Sequence, residues 1–330
     1  MEVELNLDEI YLDNSATTKP LPEVIEYMNE TLQINYGNPS SLHGKGLKAE
    51  KILKKARKNI KDKLNIKSGN IYFTSGGTES NNLAIKSAAR TFSNRGNHLI
   101  TSKTEHPSVL NVFQSLEKEG FEVTYLSPDE KGIISLKDLE NSITPETILV
   151  SIMQVNNEIG NIQPVEKIGK IIQKKNKLTL FHVDAVQGFG KVYIDPENYN
   201  IDLLSISGHK IHGPKGVGAL FIKQGIELQP LLHGGGQEEN IRSGTENIPG
   251  IAGLIPAVNK LPQLSQNKKY DSKTANLKDI LLNKLKKNIS KYRINTPEFS
   301  APHIVNISFP ELKGEVLVHA LEEDNIYVST

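Results

Sequence analysis

The chain has no cysteine and no tryptophan in its 330 residues, and only three methionines. Zero cysteine excludes disulfides, thiolate metal sites and a cysteine nucleophile on these residues. An excess of charge is missing too. Lys and Arg number 39 against 38 Asp and Glu, a net charge of +1. That balance argues against a generic nucleic-acid or membrane-surface binder, whose affinity needs a cationic excess. No run approaches the ~18 apolar residues of a membrane span. The acidic start, residues 1–9, has no apolar segment of a secretory signal. The expected location is the cytoplasm. A hydrophobic fraction of 37% and a charged fraction of 23% suit a globular protein long enough for a large core or two domains.

Short β-branched runs alternate with helical periodicity. Strands are expected at 71–74, 98–101, 121–126, 148–153, 178–183, 203–207 and 217–222, and helices at 78–93, 107–116 and 165–174. Continuous apolar strands suit burial on both faces, and the alternation predicts an α/β fold with a mostly parallel central sheet flanked by helices. Past residue 255 the texture changes. One long helix or two over 261–290, an alternating strand over 304–308, a helix over 314–323 and a strand over 326–328 read as a smaller, incomplete α+β domain. A basic stretch from Lys45 to Lys61, including Arg57, carries Ala49, Leu53, Ala56, Ile60 and Leu64 at helical spacing. It predicts an amphipathic helix with a solvated cationic face.

Several loops carry chemistry. Thr74-Ser75-Gly76-Gly77-Thr78-Glu79-Ser80 joins a strand to a helix. Its glycines allow close approach to an anion at a helix N-terminus, or simply form a capped turn. It matches neither the dinucleotide pattern nor a P-loop. Asp184 ends a buried strand, where a carboxylate either meets a ligand or caps a helix. Lys210, between Ser207-Gly208-His209 and a Gly-Pro loop, is placed to form a Schiff base with a carbonyl. His209 and His212 have no third partner at metal-ligand spacing, so no metal is expected. His106, at a strand-to-helix junction, either stacks on a flat ligand and moves protons or caps the helix. Asn157 and Gln187 sit in polar loops after strands, and Arg242-Ser243-Gly244-Thr245 forms another loop. Taken together, a phosphate cradle, a histidine, an asparagine, a buried carboxylate and a lysine are the groups that pyridoxal phosphate needs.

The sequence resembles the cysteine desulfurases of the NifS/IscS type, class V aminotransferase-like enzymes of pyridoxal-phosphate fold-type I. The resemblance rests on Tyr11-Leu12-Asp13-Asn14-Ser15-Ala16-Thr17-Thr18, Tyr36-Gly37-Asn38-Pro39-Ser40-Ser41 and Thr104-Glu105-His106. Asn156-Asn157-Glu158-Ile159-Gly160, Ser207-Gly208-His209-Lys210 and Arg242-Ser243-Gly244-Thr245 carry it further. It implies an N-terminal arm over 1–15 packing with the small domain, a large cofactor domain over 16–255 and a small domain over 256–330. It also implies that Gly77, Thr78, Ser207 and His209 hold the cofactor phosphate, and that Thr245 reaches the phosphate of a neighbouring subunit in a homodimer. His106 would stack on the ring and move protons, Asn157 and Gln187 would face its oxygen, Asp184 its nitrogen, and Lys210 would form the Schiff base.

Such an enzyme converts L-cysteine to L-alanine. It passes the sulfur, as a persulfide on a loop cysteine, to an acceptor protein such as an iron–sulfur scaffold or a tRNA-thiolation enzyme, or toward thiamine. That family loop reads Val-Ser-(Ser/Thr)-Gly-Ser-Ala-Cys. The present sequence closes on Val328-Ser329-Thr330, four positions before the cysteine. The expectation is a C-terminally shortened chain with a complete cofactor pocket, no thiol nucleophile and no arginine for the substrate carboxylate. The alternatives are another class V enzyme, an aminotransferase or selenocysteine lyase, or a non-catalytic scaffold.

Overall fold

A computed structural model describes residues 9–330, so the first eight residues of the expected arm lie outside the described part. In chain order the elements are β1 (Ile10–Tyr11), α1 (Pro22–Ile34), α2 (Gly44–Lys63), β2 (Asn70–Thr74), α3 (Gly77–Thr91), β3 (His98–Ser102), α4 (Pro107–Lys118), β4 (Glu122–Leu126), α5 (Leu136–Ser142) and β5 (Thr147–Met153). There follow α6 (Val165–Lys175), β6 (Leu180–Asp184), β7 (Leu203–Ser207), β8 (Gly218–Ile222), α7 (Ile248–Lys260), α8 (Ser272–Asn288), β9 (Arg293–Ile294), β10 (Ile307–Ser308), α9 (Gly314–Glu323) and β11 (Ile326–Tyr327).

Seven strands form the central sheet in the order β2-β8-β7-β6-β5-β3-β4. Only β8 runs against its neighbours, and the remaining pairs are parallel. Every residue of β5 is buried, because helices cover both faces of the sheet. One face packs Leu99, Leu149 and Leu203 against Leu83 of α3 and Phe113 of α4. The other packs Val150, Phe181 and Phe221 with Ile52 and Ile60 of α2, Ile168 of α6 and Ile255 of α7. Strands β3, β5, β6 and β7 end at the same edge. Thr74 and Ser207 both pair with Gly218, so β2 ends there too. In open α/β sheets this carboxyl edge is where ligands bind.

The departures from the sequence pattern have local causes. The helix expected over 261–290 begins only at Ser272, with Asp271 capping Thr274 N–H. Before it, Pro262 and a turn closed by Ser265 and Lys268 lead to Tyr270, which bridges to Val192. The strand expected over 304–308 shrinks to Ile307–Ser308, since Ile304 is buried instead beneath Gly160. Helices α1, α5 and α7 fall where the pattern predicts none. Helix α7 is buried on nearly every side, so it has no amphipathic period to read. Strand β1 pairs in parallel with β11, Ile10 opposite Ile326.

Candidate active site

The carboxyl edge of the sheet opens into a cavity of about 480 Å³. All the expected site residues line it except Thr245. Asp184 closes β6 and is 5% exposed. Its Oδ1 accepts from Val186 N–H at 2.9 Å and its Oδ2 from Asn81 Nδ2 at 2.7 Å. Burial raises its pKa, opposed by those two bonds and by the charge of Lys210. His106 takes the capping role and also faces the cavity. It caps α4 by accepting Ser108 N–H at Nδ1, with Pro107 at the first helical position.

Lys210 lies on a short 3₁₀ turn, Gly208–Lys210, directly after β7. Its Nζ donates to the carbonyls of Ser15 and, at 2.8 Å, of Ala16. Burial lowers its pKa against the pull of Asp13 and Asp184. A lowered lysine pKa supplies more of the neutral amine that attacks carbonyls. Gln187 Nε2 donates to the same Ser15 carbonyl at 2.8 Å, and Asn157 Nδ2 donates to Glu158 Oε1 at 2.6 Å. His209 stays neutral near pH 7, since burial, with Lys210, Lys215 and Lys191 nearby, pushes it down to about 4.

An adjoining cavity of about 420 Å³ lies at the N-terminus of α3, shared by Gly77, Thr78, Ser207 and His209 and completed by Lys215. The first N–H groups of a helix lack intrahelical partners and carry its positive dipole end. A Cβ on Gly77 would meet Val186 Cγ2 at 2.6 Å, so only glycine keeps this turn in place. Glu79 also lines the cavity, but Arg242 engages it at 2.7 Å. Its pKa is lowered because Arg242 and Ser75 outweigh the upward push of burial. Three buried oxygens here have no partner among the described residues, Ser207 Oγ, Gln187 Oε1 and Asn81 Oδ1. Unsatisfied groups of this kind are costly and suit a polar ligand. A phosphate-bearing aldehyde with a basic ring nitrogen therefore fits the donors, the orphans, the carboxylate and the lysine present. Thr245 is exposed and outside both cavities.

The class V aminotransferase family model matches residues 10–330. The chain belongs to the class V aminotransferases. Within that family it sits among cysteine desulfurases. The cysteine desulfurase IscS of Clostridium botulinum is 46% identical over 325 residues, spanning 98% of this chain and 81% of that protein. A solved NifS-like protein superposes with a TM-score of 0.90 at 42% identity, covering 98% of this chain and 87% of that one. The structure of SspA in complex with cysteine gives 0.82 at 38% identity, with 96% and 87% covered.

Several groups around the site of this class V aminotransferase had no role assigned to them from sequence. Asn81 and Ser108 connect Asp184 to His106. Glu105 is buried behind His106, and burial pushes it up to about 8. Burial also pushes Lys191 down to about 7, with Lys210 adding to the effect. Ser15 and Ala16 act through backbone carbonyls, which no side-chain pattern reveals. The residues Ser329 and Thr330 line the larger cavity as well.

Proposed function

We propose that the chain holds pyridoxal phosphate on Lys210 and takes L-cysteine as its substrate, in the manner of a cysteine desulfurase. The observation that carries this reading is the meeting of Lys210, Asp184, His106 and the α3 N-terminus around one cavity. Bound there, the cofactor supplies an electron sink for negative charge developing on the substrate. Lys210 is the amine that attaches it. Gly77, Thr78, Ser207 and His209 bind its phosphate, with Ser207 Oγ gaining the partner it lacks. Asp184 meets the ring nitrogen, Gln187 and Asn157 the ring oxygen, and His106 the ring face.

Release of sulfur as a persulfide needs a thiolate. These 330 residues contain none. The polypeptide therefore binds the cofactor, and a persulfide requires a thiol that it does not supply. Delivery of sulfur to an acceptor protein, for iron–sulfur clusters or thiolated tRNA, is proposed for the system once that thiol is present.

A homodimer is part of the same reading. Ile25, Leu32, Ile34, Tyr36 and Leu42, on α1 and the loop after it, are large apolar residues left exposed. A second copy covering this face would also give Thr245 a site to reach. Among the described residues no helix is long and apolar enough to cross a membrane. The proposed location is the cytoplasm.

The test is direct. Mixing the chain with pyridoxal phosphate is expected to give the visible absorbance of a lysine Schiff base, and Lys210→Ala is expected to abolish it. With L-cysteine added, neither sulfide nor alanine should form at an enzymatic rate. Turnover by these residues alone would overturn the thiol requirement, and a chain that stays colourless would favour the scaffold reading.

A further inference from the structure

One continuous chain of hydrogen bonds joins α3, α4 and β6. Asn81, in the second turn of α3, is 1% exposed. Its Nδ2 carries two hydrogens. One goes to Asp184 Oδ2 at 2.7 Å and the other to Ser108 Oγ at 2.9 Å. Ser108 Oγ lies 2.8 Å from His106 Nδ1, and the Ser108 backbone N–H donates to the same nitrogen at 3.1 Å.

Valence fixes the direction of every bond. A backbone N–H can only donate, so His106 Nδ1 is an acceptor and bears no hydrogen. The Ser108 hydroxyl must then donate to Nδ1, which leaves its lone pairs for Asn81. Turning the Asn81 amide over would set its oxygen against the Asp184 carboxylate and break both bonds. Asn81 Oδ1 is itself buried and has no partner among the described residues, so the two donations hold the orientation. A neutral imidazole has one N–H. In His106 that hydrogen is on Nε2.

We propose that Asn81 is a positioning residue. It fixes the Asp184 carboxylate and, through Ser108, the proton of neutral His106 on Nε2. The hydrogen-bond chain stands without any ligand, and its chemical use rests on the cofactor reading above. At Nε2 the neutral ring gives a hydrogen bond and has no lone pair with which to take a proton. A substrate proton then needs another acceptor in the cavity, and Lys210 is the nitrogen base in place.

The experiment uses the chain without cofactor, labelled with nitrogen-15 histidine, with Nδ1 and Nε2 told apart by long-range proton–nitrogen spectra. His106→Gln assigns the ring. The expected result is an unprotonated Nδ1 and a protonated Nε2. Ser108→Ala keeps the backbone N–H, so the tautomer should persist while the Nδ1 signal shifts. Asn81→Ala should shift that same signal although Asn81 does not touch the ring, and the double variant should shift it no further than Ser108→Ala. Asn81→Ser serves if the alanine variant folds poorly. His182, held between Ser151 and Ser205, is the internal control and should not move. Separately, Asn81→Ala should weaken pyridoxal-phosphate binding roughly tenfold, the worth of one hydrogen bond to a charged group, while Ser108→Ala should not. A protonated Nδ1, or an Nδ1 signal unmoved in both Asn81 variants, would overturn the proposal. Failure of the unaltered chain to bind pyridoxal phosphate would overturn the cofactor reading and leave the spectra to decide this one.

Discussion

Glu105 occupies an unusual position for a carboxyl group. It is 4% exposed, and its Oε1 accepts from Ser102 Oγ at 2.7 Å and from Met153 N–H at 3.1 Å. Those bonds staple the ends of β3 and β5, from which the loops bearing His106 and Asn157 depart. Its Oε2 is buried and has no partner among the described residues. Burial raises its pKa to about 8, the two hydrogen bonds oppose the rise, and Asp184 adds to it. A carboxyl group whose folded pKa exceeds its unfolded value binds its proton more tightly in the fold. Its share of stability is therefore full below the ordinary value of 4.5 and declines as the pH climbs to about 8. Glu105→Gln keeps an acceptor for both donors and removes the titration. The gap in unfolding free energy between variant and unaltered chain should widen with pH by at most about 1.4 kcal/mol per unit in that window. Urea denaturation across the range checks it, and parallel profiles would sink the idea. The residues legible from sequence, Gly77, Asp184 and Lys210 among them, each stand where a strand gives way to a loop, so their chemistry is local. Asn81 was illegible because its partner Asp184 lies 103 positions away. An asparagine inside a helix carries no mark of that contact.

Among the elements, the turn Glu238–Asn240 is strained and locked by side chains. Glu238, Glu239 and Asn240 have φ of 48°, 55° and 65° in succession, a left-handed run that costs non-glycine residues energy. Side chains hold it. Glu238 takes two bonds from Arg57 at 2.8 and 2.9 Å and one from Phe73 N–H at 2.8 Å, and Glu239 accepts from Tyr72 Oη at 2.9 Å. This lock anchors the loop that carries Thr245 to β2. Arg57→Ala leaves the Glu238 carboxylate buried and unpaired, and is expected to cost about 3–5 kcal/mol. Arg57→Leu combined with Glu238→Leu should cost clearly less. Equilibrium unfolding of the two variants decides it, and equal losses would show that the pair is not the anchor. Helix α2 was legible as an element from Ala49, Leu53, Ala56 and Ile60, all buried as their spacing predicts. Arg57 was misread with the solvated lysines. It turns inward over the Phe73 ring, 5.0 Å from its centre, to reach an acidic partner 181 positions away.

At the scale of the whole molecule, the α/β architecture was legible because strands such as β5 and β8 are nearly unbroken apolar runs set between helical stretches. The short strands after residue 290 were less so, since two-residue pairings such as β9 with β10 leave almost no pattern. The proposed association of two copies can be tested on the exposed apolar face of α1 and the loop after it. Leu42→Glu places a charge where the side chain is fully exposed in the isolated chain. It should move the sedimentation profile from dimer to monomer, with at least a roughly tenfold weaker self-association, as expected when a buried apolar anchor is lost. An unaltered dimer would place the contact elsewhere. The pairing of β1 with β11 has a bearing on the order of assembly. Ser15 and Ala16, whose carbonyls clasp Lys210, follow directly on a strand that must wait for residue 326 before it has a neighbour. Contacts so distant along the chain close late, after the local helices and the central sheet. Thr18, bonded through its N–H and hydroxyl to the His209 carbonyl, and Gln187, bonded to the Ser15 carbonyl, hold the same turn from the large sheet. The clasp is thus tied at two ends, one of them made by residues far earlier in the chain than β11.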